Sequence, residues 1–221
     1  GLAFMKGMQG AGTLANAKHF PGHGDTEKDS HYTLPTINFS EERIDSIELY
    51  PYRKLIKEGL SSVMVAHLNV PSLEKKAGLP SSLSKHIVTD ILKDSLGFNG
   101  LIFTDALTMK GAADFNETGA IDLAAFMAGN DVMLMSEDVA KGAKKIIDAF
   151  KKGDISEERL AHSVKKILMA KYKVGLNNYS PIGISNLGNE LNRLEDDLLY
   201  ENLMEDAITV VKNTKSLLPL R

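Results

Sequence analysis

The sequence predicts an α/β fold, with parallel strands joined by helical crossovers. Three observations predict it. Four apolar, strand-like runs span 13–20, 62–70, 100–107 and 131–136, and each is followed by a loop and a helix-like pattern. Val63-Met64-Val65 and Leu101-Ile102-Phe103 are continuously apolar, as strands covered on both faces must be. The intervals between run starts leave room for one loop and one helix each.

The helices follow in order. The stretch 41–58 carries Ile44, Ile47, Leu55 and Ile56, and Pro51 is expected to kink or break it. The stretch 84–96 opens on a Ser cap and puts Ile87, Ile91 and Leu92 on one stripe. A short apolar helix over 121–128 stops at Gly129-Asn130. The stretch 139–150 is expected to turn Ile146 and Ile147 inward. Ile155-Ser156-Glu157-Glu158 opens a helix that runs to about Val174, with Gly175 as its stop. Four βα units make half of a (β/α)8 barrel. An open, doubly wound sheet of four or five strands fits the same pattern, and periodicity alone does not separate them. Half a barrel leaves two parallel edges unpaired, which invites association with another chain. The chain is therefore expected to be a piece of a larger enzyme. Residues 1–176 form the first domain. Residues 177–189, rich in Asn, Ser, Pro and Gly, read as a linker. Residues 190–221 read as the opening of a second domain, with a helix-like stretch to 205 and a β-branched run at 207–211.

Composition narrows the function classes. The 221 residues are 43% hydrophobic and 25% charged, ordinary values for a globular protein. A net charge of −3 gives no electrostatic reason to expect nucleic acid or an anionic membrane as partner. There is no cysteine, hence no disulfide framework and no thiolate chemistry. No apolar run approaches the roughly 18 residues that a membrane span needs, and the first ten residues lack the build of a signal peptide.

Two segments carry chemistry. Lys18-His19-Phe20-Pro21-Gly22-His23-Gly24-Asp25-Thr26-Glu27-Lys28-Asp29-Ser30-His31 packs ionisable side chains into the loop after the first run. Leu101-Ile102-Phe103-Thr104-Asp105 ends another run on a carboxylate. At the C-terminal rim of a barrel such a carboxylate faces the site, as nucleophile, base or metal ligand; it also fits a helix cap. Asp29 and His31 lie two apart, and a carboxylate beside an imidazole stabilises its protonated form, which prepares a general acid near neutral pH. Lys18 and His19 end the first strand, facing either a ligand or a rim salt bridge. Pro21-Gly22-His23-Gly24 is a turn in which His23 holds the loop or binds a ligand. His67 ends the second run, as a rim contact or a satisfied structural histidine. His86 and His162 belong on exposed helix faces. A metal site built from His19, His23, Asp25, Asp29, His31 or Asp105 is the rival, but Pro21-Gly22 keeps His19 and His23 off one helical face.

Lys18 through Asp25, followed by Asp29-Ser30-His31, resembles the signature of the β-N-acetylglucosaminidase branch of glycoside hydrolase family 3. Leu101 through Gly111 resembles its nucleophile segment, and Ala128-Gly129-Asn130-Asp131-Val132-Met133-Leu134 its eighth barrel strand. The resemblance implies the C-terminal half of a TIM barrel, strands five to eight, followed by the start of an α/β sandwich domain. It implies that Asp105 is the nucleophile and that His31, paired with Asp29, is the acid/base. Lys18 and His19 would bind sugar hydroxyls, with His67 and Met109 as further candidate substrate contacts. It implies a small carbohydrate as substrate, no cofactor, and a missing N-terminal half barrel that supplies further sugar contacts, so that these residues alone would be inactive. Asp105 is followed by Ala106, where the β-glucosidases of the family usually carry Trp. That favours the aminosugar branch and a substrate from peptidoglycan fragments or chitin oligomers. A non-catalytic carbohydrate-binding remnant is the remaining alternative.

Overall fold

The computed structural model describes residues 1–26, 29, 30 and 32–214. Helix α1 (Leu2–Gly10) precedes strand β1 (Asn16–Phe20). After a loop comes one continuous helical run: α2 (Glu41–Arg43), a π turn (Ile44–Glu48) and α3 (Leu49–Lys57). Ser40 caps it, its Oγ accepting from the Arg43 N–H at 3.3 Å. Pro51 does not end the run. Pro51 falls in the first turn of α3, directly after the wide π turn, where the hydrogen-bond register changes.

Strand β2 (Ser62–Val65) leads to a 3₁₀ turn (Ser81–Leu83) and a π-helix (His86–Ser95). Ser84 caps that helix, accepting from the Ile87 N–H at 3.2 Å, and Ile87, Val88 and Leu92 are buried. Strand β3 (Leu101–Thr104) is followed by α4 (Lys110–Ala113), α5 (Ala120–Ala128), α6 (Val139–Lys152) and α7 (Glu157–Lys173). Gly129 ends α5 at φ 121°, and a Cβ there would stand 2.4 Å from the Thr89 hydroxyl, so both conformation and space require glycine. Ser156 caps α7 through the Arg159 N–H.

The sheet runs β1-β2-β3, all parallel. The fourth expected strand shrinks to one parallel bridge, Phe103 to Val132, extended by bonds from the Thr104 N–H to the Val132 carbonyl and from the Leu107 N–H to the Leu134 carbonyl. Spatial order therefore follows chain order across all four runs, without the reversal that defines a doubly wound sheet. Phe20, Val63, Val65 and Ile102 are fully buried. Phe20 meets Tyr52 of α3 edge to face, with ring centroids 5.0 Å apart. Each such side chain contributes roughly 1.5–3 kcal/mol on burial. On α6, Ile146 packs inward as expected, but Ile147 is half exposed. His86 and His162 are exposed, as expected.

A buried ionic cluster ties α7 to the N-terminal end of the sheet. The Asp131 carboxylate is inaccessible to solvent and pairs with Lys166. It also accepts from the Ser163 hydroxyl and, at 3.0 Å, from the Ile102 N–H. Arg159 donates to the Phe126 and Asn130 carbonyls at 2.9 and 2.8 Å and stacks 4.1 Å above the Phe126 ring. Burial, and next the charge of Arg159, push the nearby Lys93 amine down to about 8.

The contacts divide the chain into two units, 1–177 and 178–221. The second holds α8 (Leu187–Leu191) and α9 (Leu194–Ala207), neither with a buried residue. The run 207–211 forms no strand among the described residues.

Asp131→Ala should lower the unfolding free energy in urea by about 3–5 kcal/mol, because it strands the Lys166 charge and the Ile102 N–H in a dry site. A loss below about 1 kcal/mol would show that the cluster does not hold α7.

Candidate active site

The site is built where the parallel strands end. β2 advances two residues, from Val63 to Val65, while β1 advances three, from Ala17 to Phe20. The extra residue falls at Lys18 and His19, and such a bulge re-aims the side chains it carries. The Lys18–His19 and Phe20–Pro21 peptide bonds are cis. Lys18 is exposed and lines a cavity of about 650 Å³ together with His19, His23, Asp25 and Arg43.

Asp105 follows β3 directly. Its N–H continues the ladder, donating to the Val65 carbonyl at 2.8 Å. Its Oδ1 accepts from the Ala106 N–H at 2.9 Å. Its Oδ2 faces the His19 ring, 3.7 Å from Nε2, and the side chain is 14% exposed. One oxygen is thus tied to backbone while the other is presented to the rim. That geometry suits a nucleophile or an electrostatic stabiliser.

Beneath it lies His67, fully buried. A carbonyl can only accept, so Nε2–H donates to the Ala106 carbonyl at 3.0 Å. Nδ1 then accepts from the Ser82 hydroxyl at 2.7 Å. Burial lowers the His67 pKa from its usual 6.5, against smaller raising effects from the Ala106 carbonyl and Asp105. Of the two roles left open by the sequence, the geometry supports the structural one: His67 braces the peptide that follows Asp105 and has no edge free for sugar. Met109 is likewise buried, with 7% of its surface exposed, and leaves little area for a ligand.

The loop carrying the first motif is held from several sides. His23 engages the Thr26 hydroxyl through Nδ1 at 2.7 Å and the Ser30 hydroxyl through Nε2 at 3.1 Å. Its ring stands edge-on to His19, with centroids 6.0 Å apart. Arg43, missed in the sequence because nothing links it to the motif locally, donates to Asp25 at 2.8 Å and to both Glu48 oxygens at 2.6 Å. Gly22, at φ 144°, lets Glu48 approach: a Cβ there would meet its Cγ at 2.6 Å. The Asp29 carbonyl accepts from the N–H groups of Tyr32 and Thr33, each at 3.2 Å, while the residue itself is exposed. His31 lies outside the described residues. Gly111, six positions after Asp105, is where this loop rests. A Cβ added there would stand 3.1 Å from the Thr33 carbonyl oxygen and 3.3 Å from that of Ser30. Ser82, the buried partner of His67, carries no signal in the sequence that would single it out. Among the described residues no three His, Asp or Glu side chains come close enough to hold one metal ion.

A family model, the N-terminal domain of glycosyl hydrolase family 3, matches residues 1–170. The chain belongs to glycosyl hydrolase family 3. It is 34% identical over 242 aligned positions to a beta-hexosaminidase A from Pseudoalteromonas piscicida, covering 100% of this chain and 40% of that protein. A solved family 3 beta-N-acetylglucosaminidase from Paenibacillus sp. str. FPU-7 superposes with a TM-score of 0.87 at 35% identity, covering 95% of this chain and 40% of that one. A beta-glucoside phosphorylase superposes with a TM-score of 0.85 at 27% identity, covering 99% and 41%. The chain thus spans about two fifths of the length of these relatives. Family membership agrees with the α/β architecture and with the resemblance carried by the two motifs.

The lowered pKa of His67 makes a sign-definite expectation. Below its usual 6.5 the unfolded chain binds a proton that the folded chain resists, so stability falls with pH. The contribution is complete above that value and is lost as pH drops through the folded-state pKa. Urea midpoints should fall between about pH 7 and pH 5. His67→Gln should be less stable at neutral pH but show a flatter slope over that window; an unchanged slope would remove His67 as the cause.

Proposed function

We propose that the chain supplies the catalytic strand tips of a retaining exo-glycosidase that releases terminal β-linked N-acetylglucosamine. The observation that carries this reading is the Asp105 carboxylate at a strand tip, with its Oδ2 3.7 Å from His19. Support comes from the beta-hexosaminidase and beta-N-acetylglucosaminidase relatives and from the match of both motifs. In this reading Asp105 attacks the anomeric carbon to form a glycosyl-aspartate. His31 first protonates the leaving oxygen and then takes a proton from the attacking water. Asp29 orients its ring and stabilises the imidazolium. This departs from the usual pair of carboxylates in retaining glycosidases. Lys18 and His19 bind sugar hydroxyls. The four runs are strands five to eight of a (β/α)8 barrel, and the stretch from 190 opens an α/β sandwich. Earlier strands of the same polypeptide contribute further sugar contacts. Assays therefore need the polypeptide that includes them.

The phosphorylase neighbour favours a second reading of the deglycosylation step. A neutral imidazole repels an anionic acceptor less than a carboxylate would, so phosphate competes with water for the glycosyl-aspartate. Phosphate then takes the sugar carbon, the Asp105 ester bond breaks, and the product is a glycosyl phosphate.

Asp105→Ala should abolish turnover. His31→Ala should slow glycosides with poor leaving groups by roughly 10²- to 10⁴-fold while barely affecting activated aryl glycosides, which need no proton. Equal losses on both would reject the acid assignment. Product analysis with and without phosphate separates the acceptors; free sugar alone in both reactions would reject the second reading.

A further inference from the structure

We infer that His23 is a positioning residue that sets the acid/base loop against the nucleophile strand. The inference rests on the reading of Asp29 and His31 as the acid/base pair. The first argument is valence. Thr26 Oγ1 donates to the His23 backbone carbonyl at 3.1 Å, so it must accept from His23 Nδ1–H at 2.7 Å. In the neutral ring Nε2 is then an acceptor, and the Ser30 hydroxyl donates to it at 3.1 Å. One imidazole therefore holds two hydroxyls on either side of positions 27–29 with a single tautomer.

The second argument is where those anchors lie. Ser30 stands between Asp29 and His31 in the chain and is 4% exposed. Its side chain is turned into the protein and fastened to His23. Its carbonyl oxygen, with that of Thr33, lies so close to Gly111 that a Cβ would crowd both. Gly111 belongs to the segment that leaves Asp105. The loop is thus bonded on one side and seated on the other against the nucleophile's own connection.

The third argument is continuity. The His23 ring packs edge-on against His19, 6.0 Å between centroids, and His19 faces Asp105 at 3.7 Å. Asp105, His19, His23 and Ser30 form a chain of contacts from the nucleophile to the residue between the acid/base pair. A shift of His23 moves both ends relative to each other. A displacement near 1 Å at a reacting group costs on the order of 10²-fold in rate.

The test compares His23→Ala, Ser30→Ala and His31→Ala in the full polypeptide, by hydrogen exchange and by kinetics. His23→Ala should speed amide exchange across 24–33 while leaving exchange in β2 and β3 unchanged. It should lower kcat on poor-leaving-group glycosides by about 10- to 100-fold and on activated aryl glycosides by less than about 3-fold. Ser30→Ala should share the pattern in weaker form. Unchanged exchange over 24–33 in His23→Ala overturns the inference whatever His31 does. Equal kinetic losses on both substrate classes in His23→Ala, with His31→Ala still selective, overturn it while sparing the acid/base reading. A His31→Ala enzyme without leaving-group selectivity overturns the acid/base reading, and the positioning role falls with it.

Discussion

Parallel pairing of β2 with β3 is the constraint on which the rest depends. Ser62 to Val65 pairs with Leu101 to Thr104 without interruption, and the ladder then runs one bond further, from the Asp105 N–H to the Val65 carbonyl. The Asp105 side chain is therefore placed by the backbone ladder. Because parallel strands end on the same side, this pairing and that of β1 with β2 bring His19 to Asp105 and His67 to Ala106 from positions far apart in the chain.

A second layer keeps that tip in one conformation. Asp105 uses one oxygen on the Ala106 N–H, and the Ala106 carbonyl is held by a neutral, buried His67 backed by Ser82. In a dry environment each of these groups must keep its partner, because an orphaned polar atom costs about 1–3 kcal/mol. At the other end of the sheet the same logic holds α7, with Asp131 collecting a lysine, a serine and a backbone amide. The rim where the chemistry is proposed and the base where stability is concentrated are thus served by separate polar clusters.

The loop after β1 differs from both. Its anchors are hydroxyls, an arginine and a glycine seat rather than apolar packing. Such a segment is aligned by hydrogen bonds, which are directional, and it can be set against Asp105 without a large buried area.

Much of this was legible in the residues themselves. Continuous apolar runs announced buried parallel strands, Ser84 and Ser156 announced helix starts, and Gly129 and Gly175 announced stops, because these signals are local. Asp105 stood out because a charge ends an apolar strand. What stayed hidden was decided across distance. Pro51 sits in an unbroken helical run, directly after a π turn. The fourth strand thins to a single bridge, and Ile147 faces out. The bulge that turns Lys18 and His19 depends on register with β2, and the burial of His67 depends on Ser82 and Ala106. Arg43 joins Asp25 only once a helix has folded back over the loop. Local pattern reports what a segment prefers; tertiary contact decides which of its polar groups are spent on the fold and which are left to act.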